Sequence, residues 1–149
     1  MIKVYILFVL SVVPCSISIQ LLNYADCGSS AIIHSILLEP CDATPCIIHQ
    51  LQNYTARINF TARANHKRAF NFASSVTTGL NDKWSVPTFD ACTNDLKCPI
   101  QAGLAQIYTI TVTCPLARPS RVAAKWEVKT GDDPNDPDII CFVFPVEIV

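Results

Sequence analysis

Between Tyr54 and Ala64 the chain alternates strictly, with Tyr54, Ala56, Ile58, Phe60, Ala62 and Ala64 on one parity and Thr55, Arg57, Asn59, Thr61 and Arg63 on the other. A period of two sends successive side chains to opposite faces of a strand, so this segment predicts a half-buried antiparallel strand. The period returns from Arg121 to Lys129, with Val122, Ala124, Trp126 and Val128 expected inward and Arg121, Lys125, Glu127 and Lys129 outward. Leu104, Tyr108, Ile110 and Val112 share a parity in a segment that runs up to Cys114. Phe142, Phe144, Val146 and Ile148 do so near the C-terminus, where Pro145 on the opposite parity predicts an edge strand. Ala31 to Leu38 alternates poorly and fits a strand buried on both faces or one end of a helix. The strand is preferred because Pro40 and a cysteine pair stop the run early. Cys46 to His49 reads as a short strand, and Arg68 to Thr78 alternates weakly with Phe70, Phe72 and Val76 on one side. No helical period holds for three turns. Some seven short strands between polar turns such as 131–138 predict an all-β, immunoglobulin-like sandwich of two antiparallel sheets.

One long stretch escapes the pattern. Gly79 to Ile100 opens on a glycine, carries Pro87 and Pro99, and sets Cys92 six positions before Cys98, so it predicts a loop. Long irregular loops in small domains are commonly functional, and this one holds apolar Trp84, Val86 and Phe89. They read as the rim of an apolar site; the plainer alternative is that Trp84 plugs the end of the core.

Composition narrows the setting. Lys3, the apolar run Val4 to Val13 and small residues at Ser16 and Ser18 have the make-up of a secretory signal, too short to span a bilayer. The expected organisation is therefore a signal segment over residues 1–18 and one domain over 19–149. The formal net charge of -1, with acids and bases scattered, leaves no footprint for nucleic acid. Beyond the signal, which contains Cys15, seven cysteines remain at 27, 41, 46, 92, 98, 114 and 141. In a secreted chain these predict a disulfide framework with one thiol over. Cys41 with Cys46, and Cys92 with Cys98, each flank a turn sequence, which favours a local bridge for each pair and leaves Cys27, Cys114 and Cys141. No pair has the C-x2-C spacing of a zinc site, and no metal or other cofactor is implied. Asn53 and Asn59 both open N-x-[ST] sequons on the polar parity of their strand, where a glycan has room.

The expected inner faces mix a few large aromatics with Ala56, Ala62, Ala64 and Ala124. Two sheets pack about 10 Å apart, and small residues facing one another across that gap leave a void that costs stability unless an apolar guest fills it. A solid core in which each alanine opposes an aromatic is the alternative.

Specific motifs sharpen these expectations. Asp26-Cys-Gly-Ser29, Pro40-Cys-x4-Cys46, Pro45-Cys-Ile-Ile-His49, Cys92-x5-Cys98-Pro-Ile, Lys125-Trp-Glu127, and Cys141 with Pro145-Val-Glu-Ile-Val149 together resemble the ML lipid-recognition superfamily. Within it the resemblance is to the branch of secreted Niemann-Pick type C sterol carriers and their arthropod homologues, mite allergens included. It covers essentially the whole chain beyond the signal. The resemblance implies bridges Cys27–Cys141, Cys41–Cys46 and Cys92–Cys98, and a lipid held in a cavity between the two sheets. It places Trp84 at an aromatic of the tunnel mouth and Leu116 at an apolar position beside it. Trp126, Phe142 and Tyr108 fall at or near wall aromatics; Phe60, Ile110 and Val86 are added from parity and loop position. Arg118 departs from the family, standing where a portal tyrosine is expected. With Lys83 it would offer a cation to an anionic headgroup, favouring fatty acids over sterols. Cys114 also departs and has no family partner.

The leading expectation is thus a monomeric lipid carrier, secreted or in the lysosomal lumen, binding a sterol or long-chain fatty acid and touching membranes or a membrane lipid transporter only transiently. An extracellular recognition or adhesion module that presents lipid to a protein receptor is the alternative. Catalysis is not expected: no G-x-S-x-G or H-E-x-x-H surrounds His34, His49 or His66.

Overall fold

The computed structural model describes residues 17–76 and 81–149. Residues 1–16, with Cys15 and nearly all of the expected signal, and 77–80, with Gly79 and the end of the expected Arg68–Thr78 strand, lie outside the described residues. The described chain forms ten strands and a single 3-10 turn: β1 Ile19–Gln20, β2 Ala25–Asp26, β3 Ile32–Glu39, β4 Cys46–Ile48, β5 Asn53–Thr61, β6 Phe70–Val76, β7 Asn81–Lys83, the turn Ala91–Thr93, β8 Ala105–Thr113, β9 Ser120–Lys129 and β10 Asp138–Ile148. Four of the ten are two- or three-residue pieces, which alternation cannot register. One sheet runs β1-β3-β5-β8; the other runs β2-β10-β9-β6-β7, with β4 parallel to β10. The sheets stack as an all-β sandwich.

Tyr54, Ala56, Ile58 and Phe60 of β5 and Tyr108, Ile110 and Val112 of β8 are buried on one inner face. Ala124, Trp126 and Val128 of β9 and Phe142, Phe144, Val146 and Ile148 of β10 are buried on the other. Leu104 and Ala64, expected to share these parities, lie outside β8 and β5 and are exposed.

One expectation is corrected and two are completed. First, β10 is central. Cys141 directs its N–H to Ser29 Oγ (2.8 Å) and its C=O to the Cys27 N–H (3.1 Å), away from β9, and by alternation Pro145 points the same way. On that side β2 pairs with Phe142 and Val143 and β4 with Val146 to Ile148, so Pro145 falls in the gap between them and costs the ladder no bond. Second, Phe70, Phe72 and Val76 face outward. Asn71, Ala73 and Ser75 point into the sandwich, and Phe89 packs across Phe70 and Phe72 at 5.4 and 5.3 Å between ring centroids. Third, Glu127 and Lys129 face outward yet are buried, in a chain of ion pairs running Lys125–Glu127–Lys129–Asp138 at 2.7, 2.9 and 2.8 Å.

The disulfides are Cys27–Cys141, Cys41–Cys46 and Cys92–Cys98, and Cys114 is free and buried. Asp26-Cys-Gly-Ser shapes the first of them. Asp26 Oδ1 accepts from the Gly28 and Ser29 N–H groups (2.9 and 2.8 Å), and Gly28 takes φ of 123°, which a side chain would resist. The turn delivers Cys27 to β10.

Candidate functional site

The long loop is less irregular than its sequence suggests. It begins in β7, and Trp84 then donates its backbone N–H to Ala73 O (2.9 Å) while Ser85 exchanges two hydrogen bonds with Thr113 of β8 (3.2 and 2.7 Å). The loop therefore ties the β6–β7 border of one sheet to the β8 border of the other and closes one flank of the sandwich. That tether turns the Trp84 indole inward, where it meets Trp126 edge-on at 6.4 Å. Trp126 in turn contacts Phe142 (5.9 Å) and Phe144 (5.4 Å), so one inner wall is a continuous aromatic surface. Phe60, Tyr108 and Ile110 belong to the opposite wall.

The structure distributes the sequence-predicted residues over three places. Phe60, Tyr108, Ile110, Trp126 and Phe142 lie in the inter-sheet layer, each no more than 1% exposed. Leu116 and Arg118 line a cavity of ≈ 400 Å³ at the rim of that layer, together with Lys83 and with Ser75, Val122 and Ile148. Trp84 and Val86 border a separate cavity of ≈ 620 Å³ on the outer side of the β6/β9 sheet, shared with Phe72, Phe89, Lys125, Glu127 and Asp132. Lys83 borders both cavities. A further cavity, ≈ 860 Å³, is an open groove beside Pro145 that contains none of the predicted residues.

Asn71 is the residue that sequence reasoning missed. It is 1% exposed and donates from Nδ2 both to Thr88 O (2.8 Å) and across the sandwich to Tyr108 Oη (2.7 Å). Burial is the main influence pushing the Tyr108 phenol up, to about 12, so Tyr108 stays neutral. The available signal was the parity of Asn71, Ala73 and Ser75, concealed because the opposite parity of that strand carries the phenylalanines.

Elsewhere the chemistry is structural. Glu127, Asp138 and Cys141 offer ligand atoms within 4.8 Å of one another, but both carboxylates hold Lys129 and the sulfur is in a disulfide. That cluster suits an ammonium group rather than a metal. The histidines sit apart: His34 is bonded to Thr61, His49 follows β4, and His66 bridges to Ile100. Asn53 is exposed and Asn59 half-buried on the outer face of β5.

Known proteins with the same pattern extend these observations. The ecdysteroid-regulated 16 kDa protein of Manduca sexta is 29% identical over 147 residues, covering 95% of this chain and 99% of its own. NPC intracellular cholesterol transporter 2 of Danio rerio is 26% identical over 129 residues, 85% of each chain. The crystal structure of a Niemann-Pick type C2 protein from the Japanese carpenter ant superposes with a TM-score of 0.71 at 21% identity, covering 85% of this chain and 98% of its own, which establishes the shared fold. The ML domain pattern itself matches residues 22–148, and the chain belongs to the ML domain family.

Proposed function

We propose that this protein is a lipid carrier that holds a sterol or long-chain fatty acid between its sheets and passes it on. The carrying observation is the inner architecture: one aromatic wall faces one mixed apolar wall, with the small residues Ala56, Ala73 and Ala124 among them, and a cavity lined by Leu116, Val122 and Ile148 opens beside that layer. The match to proteins named for cholesterol transport supports the same reading. Phe60, Tyr108, Ile110, Trp126 and Phe142 serve as wall contacts, and Trp84, Val86 and Leu116 frame the opening. A guest wedged between the walls gains about 25 cal/mol for each Å² of its apolar surface removed from water, which favours long hydrocarbon ligands. Arg118 and Lys83 supply positive charge at the mouth. Secretion after removal of residues 1–18, glycans at Asn53 and Asn59, action as a monomer outside the cell or in the lysosomal lumen, and brief contact with a membrane or its lipid transporter complete the proposal. The side chains act by contact, without a catalytic step.

Organic extraction of the purified protein followed by mass spectrometry tests it, with about one lipid per chain as the expected outcome. Absence of any lipid, combined with tight binding to a protein receptor, would favour a recognition module instead. For the mouth, Arg118→Ala is expected to weaken fatty-acid binding about fivefold and leave sterol binding unchanged. Equal fatty-acid affinities in the two proteins would remove Arg118 from the site.

A further inference from the structure

Charge is scattered along the sequence, yet the fold gathers cations at the end of the sandwich remote from Arg118. β5 and β8 are antiparallel, so the segment after β5 and the Arg118 segment after β8 leave at opposite ends. Arg63, Lys67 and Arg68 stand on the 62–69 connection from β5 to β6, and all three are exposed. The connection is tied down. Ala62 O accepts from the Gly103 N–H (2.8 Å), Asn65 Oδ1 accepts from the Ala102 N–H (2.8 Å), and His66 exchanges two hydrogen bonds with Ile100 (3.0 and 2.8 Å). Ala62 and Ala69, both buried, fix where it leaves and rejoins the core. The bridge between His66 and Ile100 also brings the segment carrying exposed Lys97 alongside. None of these four cations is in an ion pair among the described residues, whose pairs involve Arg121, Lys125 and Lys129. Acids at this end answer nearby backbone instead: Asp26 accepts from the Gly28 and Ser29 N–H groups, Asp90 from Cys92 and Asp136 from Asp133.

We propose that this anchored loop is a binding surface for a linear sulfated polysaccharide, with Arg63, Lys67 and Arg68 as its main contacts and Lys97 at its border. Cations held on one short loop and free of partners can displace counterions from a polyanion without first giving up ion pairs of their own. Guanidinium forks match the paired oxygens of a sulfate, and two of the three main contacts are arginines. Other polyanions fit less well. Between the cations stand Ala64, Asn65 and half-buried His66, so the loop has no bulky apolar side chain to enter a bilayer and no exposed Phe, Tyr or Trp on which bases could stack. Three disulfides belong to oxidising compartments, where sulfated chains rather than nucleic acids are the polyanions at hand. The surface is independent of what lies between the sheets.

The test is binding of the full chain to immobilised heparin at about 0.15 M salt, the physiological ionic strength. The native protein should be retained, and Lys67→Ala combined with Arg68→Ala should weaken binding at least about tenfold. Both side chains are exposed, so the variant keeps the fold. Arg57→Ala combined with Arg121→Ala removes the same charge from other faces of the molecule and should stay within about twofold of the native affinity. Heparin stripped of its sulfates, with its carboxylates kept, should bind at least about tenfold more weakly than intact heparin. Failure of the native protein to bind, equal losses in the two double variants, or equal binding of the desulfated chain overturns the proposal. So would vesicles of anionic phospholipid that bind as tightly as heparin and are lost to the same Lys67 and Arg68 variant, which would make the loop a membrane contact. Lipid extraction reads a different site, so the carrier reading stands or falls separately.

Discussion

Single residues decide how this molecule responds to acid. His66 has an unmatched buried Nε2, and burial holds its imidazole below the ordinary 6.5. Above that value folded and unfolded chains both carry it neutral, and its contribution to stability is complete. As pH falls through 6.5 the unfolded chain takes up the proton first, so stability is lost until the folded pKa is passed. The melting temperature should therefore decline as pH falls below about 6.5, and His66→Phe should flatten part of that decline. A variant with the native slope would assign the acid sensitivity elsewhere. Cys114 stands at the other extreme. It is fully buried and burial pushes its thiol up, so it behaves as an apolar filler. At this scale the wall residues were legible because each lies on a clean alternation. Asn71 was not, since nothing in its local pattern announces a partner 37 positions away.

At the scale of elements, what alternation leaves open on β6 and β9 has one cause. Alternation reports which parity differs from the other, not which one faces the core, and tertiary cover can bury both. On β6 the loop lays Phe89 over Phe70 and Phe72, giving the aromatics an apolar home on the outside and leaving small and polar residues within. On β9 the polar parity was read correctly, but Phe72 and the hairpin before β10 cover Lys129, whose Nζ lies 5.9 Å from the Phe72 ring centroid. Burial alone would lower the Lys129 pKa; its bonds to Asp138 and Glu127 outweigh that and hold it above its ordinary value. Lys129→Met would leave two carboxylates facing one another on a covered surface, and should cost about 3 kcal/mol or more in urea unfolding. A loss within the usual surface range, about 0.5 kcal/mol, would show that the ion-pair chain is idle.

For the whole molecule, sequence carried further than it did for any single strand. The sandwich and the two short bridges were legible because strand count, cysteine spacing and turn chemistry are local and agree with one another, whereas the Cys27–Cys141 bridge was implied only by the family resemblance. Which strand sits at a border was not, because that depends on where distant segments dock. Cys27–Cys141 spans a sequence separation of 114 and Cys41–Cys46 one of 5, so chain entropy ranks them unequally. Replacing the first pair by serines should cost about 5 kcal/mol in urea unfolding, and the second about 2 kcal/mol. Equal losses would mean that local strain, rather than restraint of the unfolded chain, governs their effect. Pro145 has a consequence for life in a crowd. An untethered extended segment from another molecule could try to zip along the outer margin of β10 between β2 and β4, and it would meet an imide nitrogen with nothing to donate. The interrupted seam thus acts as a guard against runaway stacking, set into the long strand that anchors its sheet.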